Sequence, residues 1–142
     1  ATELTRILGD GDLVEGPASA ALWAGIRDVA PFAAMSGAVW RLSVIPASAL
    51  AVPAALAAAG IAHRTIWDWG GGRLWLLAGP DAAAAIGAAV TGIGHATLVR
   101  PVAGQGDVGS LPPEAAAVAA LTRGLRAAFD PRGIFDPHRP PA

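Results

Sequence analysis

The fold is decided by residues 40–100, WRLSVIPASALAVPAALAAAGIAHRTIWDWGGGRLWLLAGPDAAAAIGAAVTGIGHATLVR. At its start, Trp40, Leu42 and Val44 alternate with Arg41 and Ser43. A period of two is the mark of a strand with one apolar and one polar side. Pro46 to Ala59 is alanine-rich and closes on Gly60, which reads as a helix with a glycine stop. Ala62 to Trp69 is a second strand, Gly70-Gly71-Gly72 a hairpin turn, and Arg73 to Ala78 the returning strand. Pro80 and Asp81 open another helix that runs to Val90, with Gly92 or Gly94 as its stop, and His95 to Arg100 is the fourth strand. The order strand, helix, strand, strand, helix, strand predicts an α+β, ferredoxin-like split βαβ fold. Its four-stranded antiparallel sheet carries both helices on one face.

Alternation then assigns two unlike faces. The side toward the helices is predicted to hold Trp40, Leu42, Val44, Ile66, Leu74, Leu76, Ala96 and Leu98. The other side is predicted to hold Arg41, Ser43, Thr65, Trp67, Trp69, Arg73, Trp75, His95 and Thr97. A sheet with one face to water needs no special function. Tryptophans on such a face are costly to leave wet, so a further domain, subunit or ligand is expected to cover it.

Outside this core, Thr2 to Leu8 reads as a short strand and Asp10 to Pro17 as a turn. From Ser19, which suits an N-cap, the pattern is helical, with Leu22, Ile26 and Val29 on one side and Trp23 beside them; Pro31 is expected to end that helix. Val102 to Pro113 is a glycine- and proline-rich loop. Pro113 is expected to start a last helix with the apolar stripe Val118, Leu121, Leu125 and Phe129, halted at Asp130-Pro131. The reading is therefore one domain over 1–142, with a helical extension (1–35), a ferredoxin-like core (36–101) and a loop, helix and tail (102–142).

Composition narrows the function classes. The chain has 142 residues, 54% of hydrophobic type and 15% charged, with a formal net charge of −1. A chain this neutral lacks the electrostatic footprint of a nucleic-acid or anionic-membrane binder. It has no cysteine, which excludes disulfides, thiolate metal sites and a cysteine nucleophile. All ten basic residues are arginine. The uncharged run Val44 to Ala62 is nearly half alanine and is broken by Pro46 and Pro53, which argues against a membrane span. Ala1 to Asp12 carry charges and no apolar run of the secretory kind, so the expected location is the cytoplasm.

The short motifs are weak. Gly104 to Gly109 matches G-x-G-x-x-G, but Ser110-Leu111-Pro112-Pro113 follows where a helix would have to open, and no acid stands about 20 residues on. It reads as a flexible loop. No G-x-S-x-G elbow supports a hydrolase. His63, His95 and His138 lack metal-ligand spacing, so no metal site is expected and no catalytic residue can be named.

Four segments taken together resemble the family of the glycolate oxidase FAD-binding subunits. They are Leu22 to Val29, Trp40 to Val44, Trp67 to Trp75 and Gly94 to Leu98, in the family's order and at similar spacing. The tail Phe129-Asp130-Pro131-Arg132-Gly133-Ile134-Phe135-Asp136-Pro137 resembles the C-terminal signature of the wider vanillyl-alcohol-oxidase-like flavoproteins, the FAD-linked oxidases. The resemblance spans about Leu13 to Arg139. It implies the C-terminal cap or substrate domain of a two-part flavoprotein, whose sheet lies over the isoalloxazine of FAD. The domain that holds the FAD pyrophosphate is absent from this chain, which is expected to be inactive and colourless alone. The implied reaction is oxidation of a 2-hydroxy acid to a 2-oxo acid. The implied partners are the FAD-binding domain, a second flavin subunit and an iron–sulfur subunit. On this view Arg41, Arg73 and His95 are the substrate-binding candidates, an arginine fork suiting a carboxylate. Ser43, Trp67, Trp75, Asp136 and Arg139 are the cofactor-facing candidates. The family's tail ends in Asn-Pro-Gly-Arg, where this chain has Asp136, Pro137, His138 and Arg139. A carboxylate near a reduced flavin would be repelled unless paired, and Arg139 is the nearest partner in sequence. The alternative is a stand-alone ferredoxin-like interaction or assembly module without catalysis.

Overall fold

Alternation in β1 (Ala38–Val44) sets the centre of the molecule: Trp40 and Leu42 are fully buried, while Arg41 and Ser43 are exposed. In this computed structural model the described residues are 6–7, 9, 12–103, 105, 110–112 and 115–134. Two helices, α1 (Gly16–Arg27) and α2 (Ala30–Ala33), precede β1, and after it a 3-10 turn (Pro46–Ser48) leads into α3 (Ala51–Ala58). Pro53 falls in the first turn of α3, where a missing N–H leaves no helix bond unmade. The helix ends as the sequence predicts. Gly60, at φ 71°, lets its own N–H reach the carbonyl of Ala57 (3.0 Å) and the Ile61 N–H reach that of Leu56 (2.9 Å), the reciprocal pair of a glycine-capped helix.

β2 (His63–Asp68) and β3 (Arg73–Ala78) form a hairpin through Trp69 to Gly72. A 3-10 turn (Pro80–Ala82) opens α4 (Ala83–Val90), and β4 (Gly94–Arg100) follows. The strands lie in the order β2-β3-β1-β4, all antiparallel, which is the split βαβ order. Val52 and Leu56 of α3 and Ile86 and Val90 of α4 join Trp40, Leu42, Leu74, Leu76 and Ala96 in one core, so both helices cover the same face. Gly94 is required by close approach. A Cβ there would meet the Ser43 carbonyl oxygen and would stand 2.7 Å from the Cα of Val44, its partner across β1 and β4.

Several expectations need correction. A fifth strand, β5 (Ser110–Leu111), pairs with β4, within a stretch read as loop. Of residues 2–8 only Arg6 and Ile7 are described, and both are helical where a strand was expected. The first full helix, α1 (Gly16–Arg27), begins at Glu15 as N-cap and not at Ser19. Pro31 does not end it. Val29 turns the chain with φ 52°, and Pro31 sits near the start of a short second helix, α2 (Ala30–Ala33), where proline is tolerated. The last helix, α5 (Ala116–Phe129), carries the predicted stripe, but Val118, Leu121, Leu125 and Phe129 are all exposed.

The largest correction concerns β2. Its register sets Ile66 opposite Trp75, and Thr65 and Trp67 opposite Leu76 and Leu74. Directly opposed residues share a face. Ile66 therefore lies away from α3 and α4, while Thr65 and Trp67 lie toward them, the reverse of the sequence reading. β2 is an outer strand whose residues are half-buried or exposed on both faces. Its hydrophobic pattern alone therefore could not settle which side faced in.

Candidate functional site

Cross-strand register turns the face away from α3 and α4 into three rows. The first is Asp68, Arg73, Ser43 and His95. The second is Ile66, Trp75, Arg41 and Thr97. The third is Arg64, Leu77, Val39 and Arg100. Arg41, Arg73, His95, Ser43 and Trp75 thus share this face. Trp67 is not: it lies on the helix side, 42% exposed. Asp136 and Arg139 lie outside the described residues.

The chain itself covers one end of this face. Phe32, carried in by the turn at Val29, packs in a cluster with Val39, Trp75 and Leu77, against which Val29, Met35 and Ile66 also rest. Arg100 fastens this segment to the sheet. Its Nη1 donates to the carbonyls of Phe32 (2.9 Å) and Ala33 (3.3 Å), and its Nη2 to those of Met35 (2.7 Å) and Gly37 (3.3 Å). Hydrogen bonds from a charged donor are the stronger kind. As a result Trp75 is only 9% exposed, and its indole N–H is buried with no acceptor among the described residues.

The two arginine candidates are not equivalent. Arg73 has its Nη1 4.0 Å from Asp68 Oδ2, and its guanidinium lies 3.5 Å from the centre of the Trp69 ring. Asp68 is itself held, its Oδ1 accepting the Trp69 N–H at 2.8 Å. Stacking on an aromatic ring and a carboxylate 4.0 Å away hold the Arg73 guanidinium in place without removing its charge. Arg41, between Trp75 and Thr97, is exposed and has no hydrogen bond or ion pair among the described residues; the same holds for Ser43 and His95. A guanidinium, an imidazole and a hydroxyl on neighbouring strands can together receive a small carboxylate or another planar anion.

Asp68 was missed by sequence reasoning, although a signal existed. It precedes and Arg73 follows a four-residue turn, which makes them the first cross-strand pair of the hairpin. Arg100 carried no such signal, because its partners are backbone carbonyls 63 to 68 residues away.

A shallow pocket of about 510 Å³ opens at the opposite end of the sheet, between Gly37, His63, Arg64, Leu77, Pro80 and Val102. None of the predicted site residues lines it. The His63 ring nitrogen Nδ1 is 2.8 Å from the Ile61 carbonyl oxygen, which ties that imidazole to its own turn. No group of histidines, aspartates and glutamates among the described residues could hold a metal ion, and no described helix is long and apolar enough to cross a membrane. Comparison with family models, with curated proteins and with solved structures finds no match.

Proposed function

We propose that this chain is the cap or substrate domain of an FAD-linked oxidoreductase that oxidises a 2-hydroxy acid, with the FAD pyrophosphate held by a separate domain. The supporting observation is the uncovered half of the sheet, where unpaired Arg41 stands beside His95, Ser43 and Thr97 while the other face of the same strands is closed by helices. The flavin would accept the electrons of the substrate carbon. Arg41 binds the substrate carboxylate through its fork, and His95 and Ser43 supply polar contacts on the same row. Arg73, held by Asp68 and Trp69, keeps the neighbouring ground positively charged. The proposed location is the cytoplasm, in a complex with a second flavin subunit and an iron–sulfur subunit.

The test is turnover of a 2-hydroxy acid by the assembled complex. Arg41→Ala is expected to cut turnover at least tenfold and to leave the melting temperature of this chain unchanged. Normal turnover in Arg41→Ala and in His95→Ala would overturn the reading. The chain alone is expected to show no flavin absorbance, and stoichiometric FAD in such a preparation would equally count against it.

A second reading, a non-catalytic interaction module, draws on a different observation. Leu121, Leu125 and Phe129 of α5 are 61–79% exposed along one stripe, an apolar surface of the kind that marks a docking site. In that case Arg41→Ala would leave every activity untouched, while Leu125→Glu would release a partner.

A further inference from the structure

β2 is the outer strand on its side of the sheet: β3 pairs with one edge, and no described element pairs with the other. Outer strands that remain alone are blunted by short length, proline, bulges, charged side chains or a covering segment. Residues 63–68, His-Arg-Thr-Ile-Trp-Asp, contain no proline and keep unbroken register with β3, and their acid and arginine have opposite sign. Arg64, Ile66 and Asp68 share one face, opposite Leu77, Trp75 and Arg73. Arg64 and Asp68 therefore stand two residues to either side of Ile66.

This spacing is self-complementary. In an antiparallel pairing with β2 of a second copy, a two-fold axis at Ile66 sets Ile66 against Ile66. It also sets Arg64 against Asp68 of the second copy twice, and Thr65 against Trp67 twice. Sliding by two residues in either direction loses both ion pairs. A parallel pairing in register would stack arginine on arginine and aspartate on aspartate. Opposite charges directly across a strand pair stabilise it, and like charges oppose it. Arg64 is exposed, and its side-chain contact is the weak one from Nη1 to the Met35 sulfur at 3.4 Å. The Asp68 side chain is 14% exposed; its Oδ1 accepts the Trp69 N–H, and its Oδ2, 4.0 Å from Arg73, keeps room for a second guanidinium.

We propose that two copies of this chain join edge to edge through antiparallel β2–β2 pairing centred on Ile66, which makes one continuous sheet. The contact uses the same surface on both copies, so it closes as a dimer and does not propagate. The inference does not depend on the flavoprotein reading, since β2 is at the far side of the sheet from His95 and leaves Arg41 uncovered.

The chain has no cysteine, so Ile66→Cys introduces a single thiol. Antiparallel pairing places directly opposed Cα atoms about 4.5–5.5 Å apart, within disulfide reach. Under mild oxidation Ile66→Cys is expected to give a covalent dimer much faster than Leu50→Cys, an exposed control on a different surface. In sedimentation the unmodified chain is expected to be a dimer. Arg64→Glu should weaken association roughly ten- to thirtyfold through two like-charge pairs, and Arg64→Glu with Asp68→Arg should restore it. A chain that sediments as a monomer at every concentration overturns the proposal. So does a dimer that ignores Arg64→Glu and, in the Ile66→Cys variant, forms no disulfide.

Discussion

The two faces of this sheet are built from the same four strands and end in different states. On the side of α3 and α4, Trp40, Leu42, Leu74 and Leu76 are fully buried by helices connected directly to the strands they cover. On the other side the cover is a short segment around Phe32, pinned by one arginine, and it reaches only one end. The difference teaches that a split βαβ unit closes one face through its own connections. The second face depends on whatever chain or molecule is supplied from outside the unit, and here that supply is partial. The uncovered end is also where the unpaired polar groups gather.

Leu76→Ala should give the largest effect. It empties a fully buried position between helices that cannot close the gap, and the expected loss is about 3–4 kcal/mol by thermal or denaturant melting. A loss under about 1 kcal/mol would mean that the helix-side core is looser than its burial shows. Phe32→Ala should cost about 2–3 kcal/mol, at or just below the bottom of the core-phenylalanine range, because the covering segment is free to settle onto the sheet. If it costs as much as Leu76→Ala, the two faces are energetically equal and the contrast fails.

Arg100→Ala sharpens the same contrast locally. Its loss leaves carbonyls of the covering segment without their donor, for about 1–3 kcal/mol. The selective signature is faster amide exchange at residues 30–37 and across the Trp75 row, with α3 and α4 unchanged. Uniform acceleration would show that the cover is not a separate unit. Arg41→Ala lies at the uncovered end and should move stability by no more than about 0.5 kcal/mol.

The smallest effect belongs to the exposed pair Arg27–Asp28, with Nε to Oδ1 at 2.7 Å. The hydrogen bond from Arg27, with its charge, holds the Asp28 carboxyl below its ordinary value. A depressed carboxylate adds stability above its unfolded value and loses it as pH falls through the folded one. Both side chains are solvent-exposed, so Asp28→Asn should leave melting at neutral pH unchanged within error. A clear drop would reveal that α1 is docked through this pair.

How much of this was legible beforehand differs by strand. For β1 and β4 the contrast between Leu42 and Arg41, or Ala96 and His95, favours one parity, and the structure has that parity; in β3 apolar residues stand on both faces, Leu74 and Leu76 toward the helices and Trp75 and Leu77 beneath Phe32, and only Arg73 marks the polar side. Helices α3 and α4, the Gly60 stop, the hairpin and the α5 stripe were likewise written locally, in composition and period, whereas the start of α1 and the break at Val29 were not. In β2 the residues Thr65, Ile66 and Trp67 give either face a comparable burial. Parity there was decided by pairing with β3 and by the apolar patch that Phe32 creates above Trp75. Which arginine stays free was also a tertiary outcome. Arg41 and Arg73 read alike in the chain, and only the hairpin that brings Asp68 and Trp69 to Arg73 tells them apart. The residues themselves determined elements and strong faces, because burial energy along one strand is local. The weak face, the cover and the free charge were left to three-dimensional neighbours, because each depends on contacts between residues far apart in sequence.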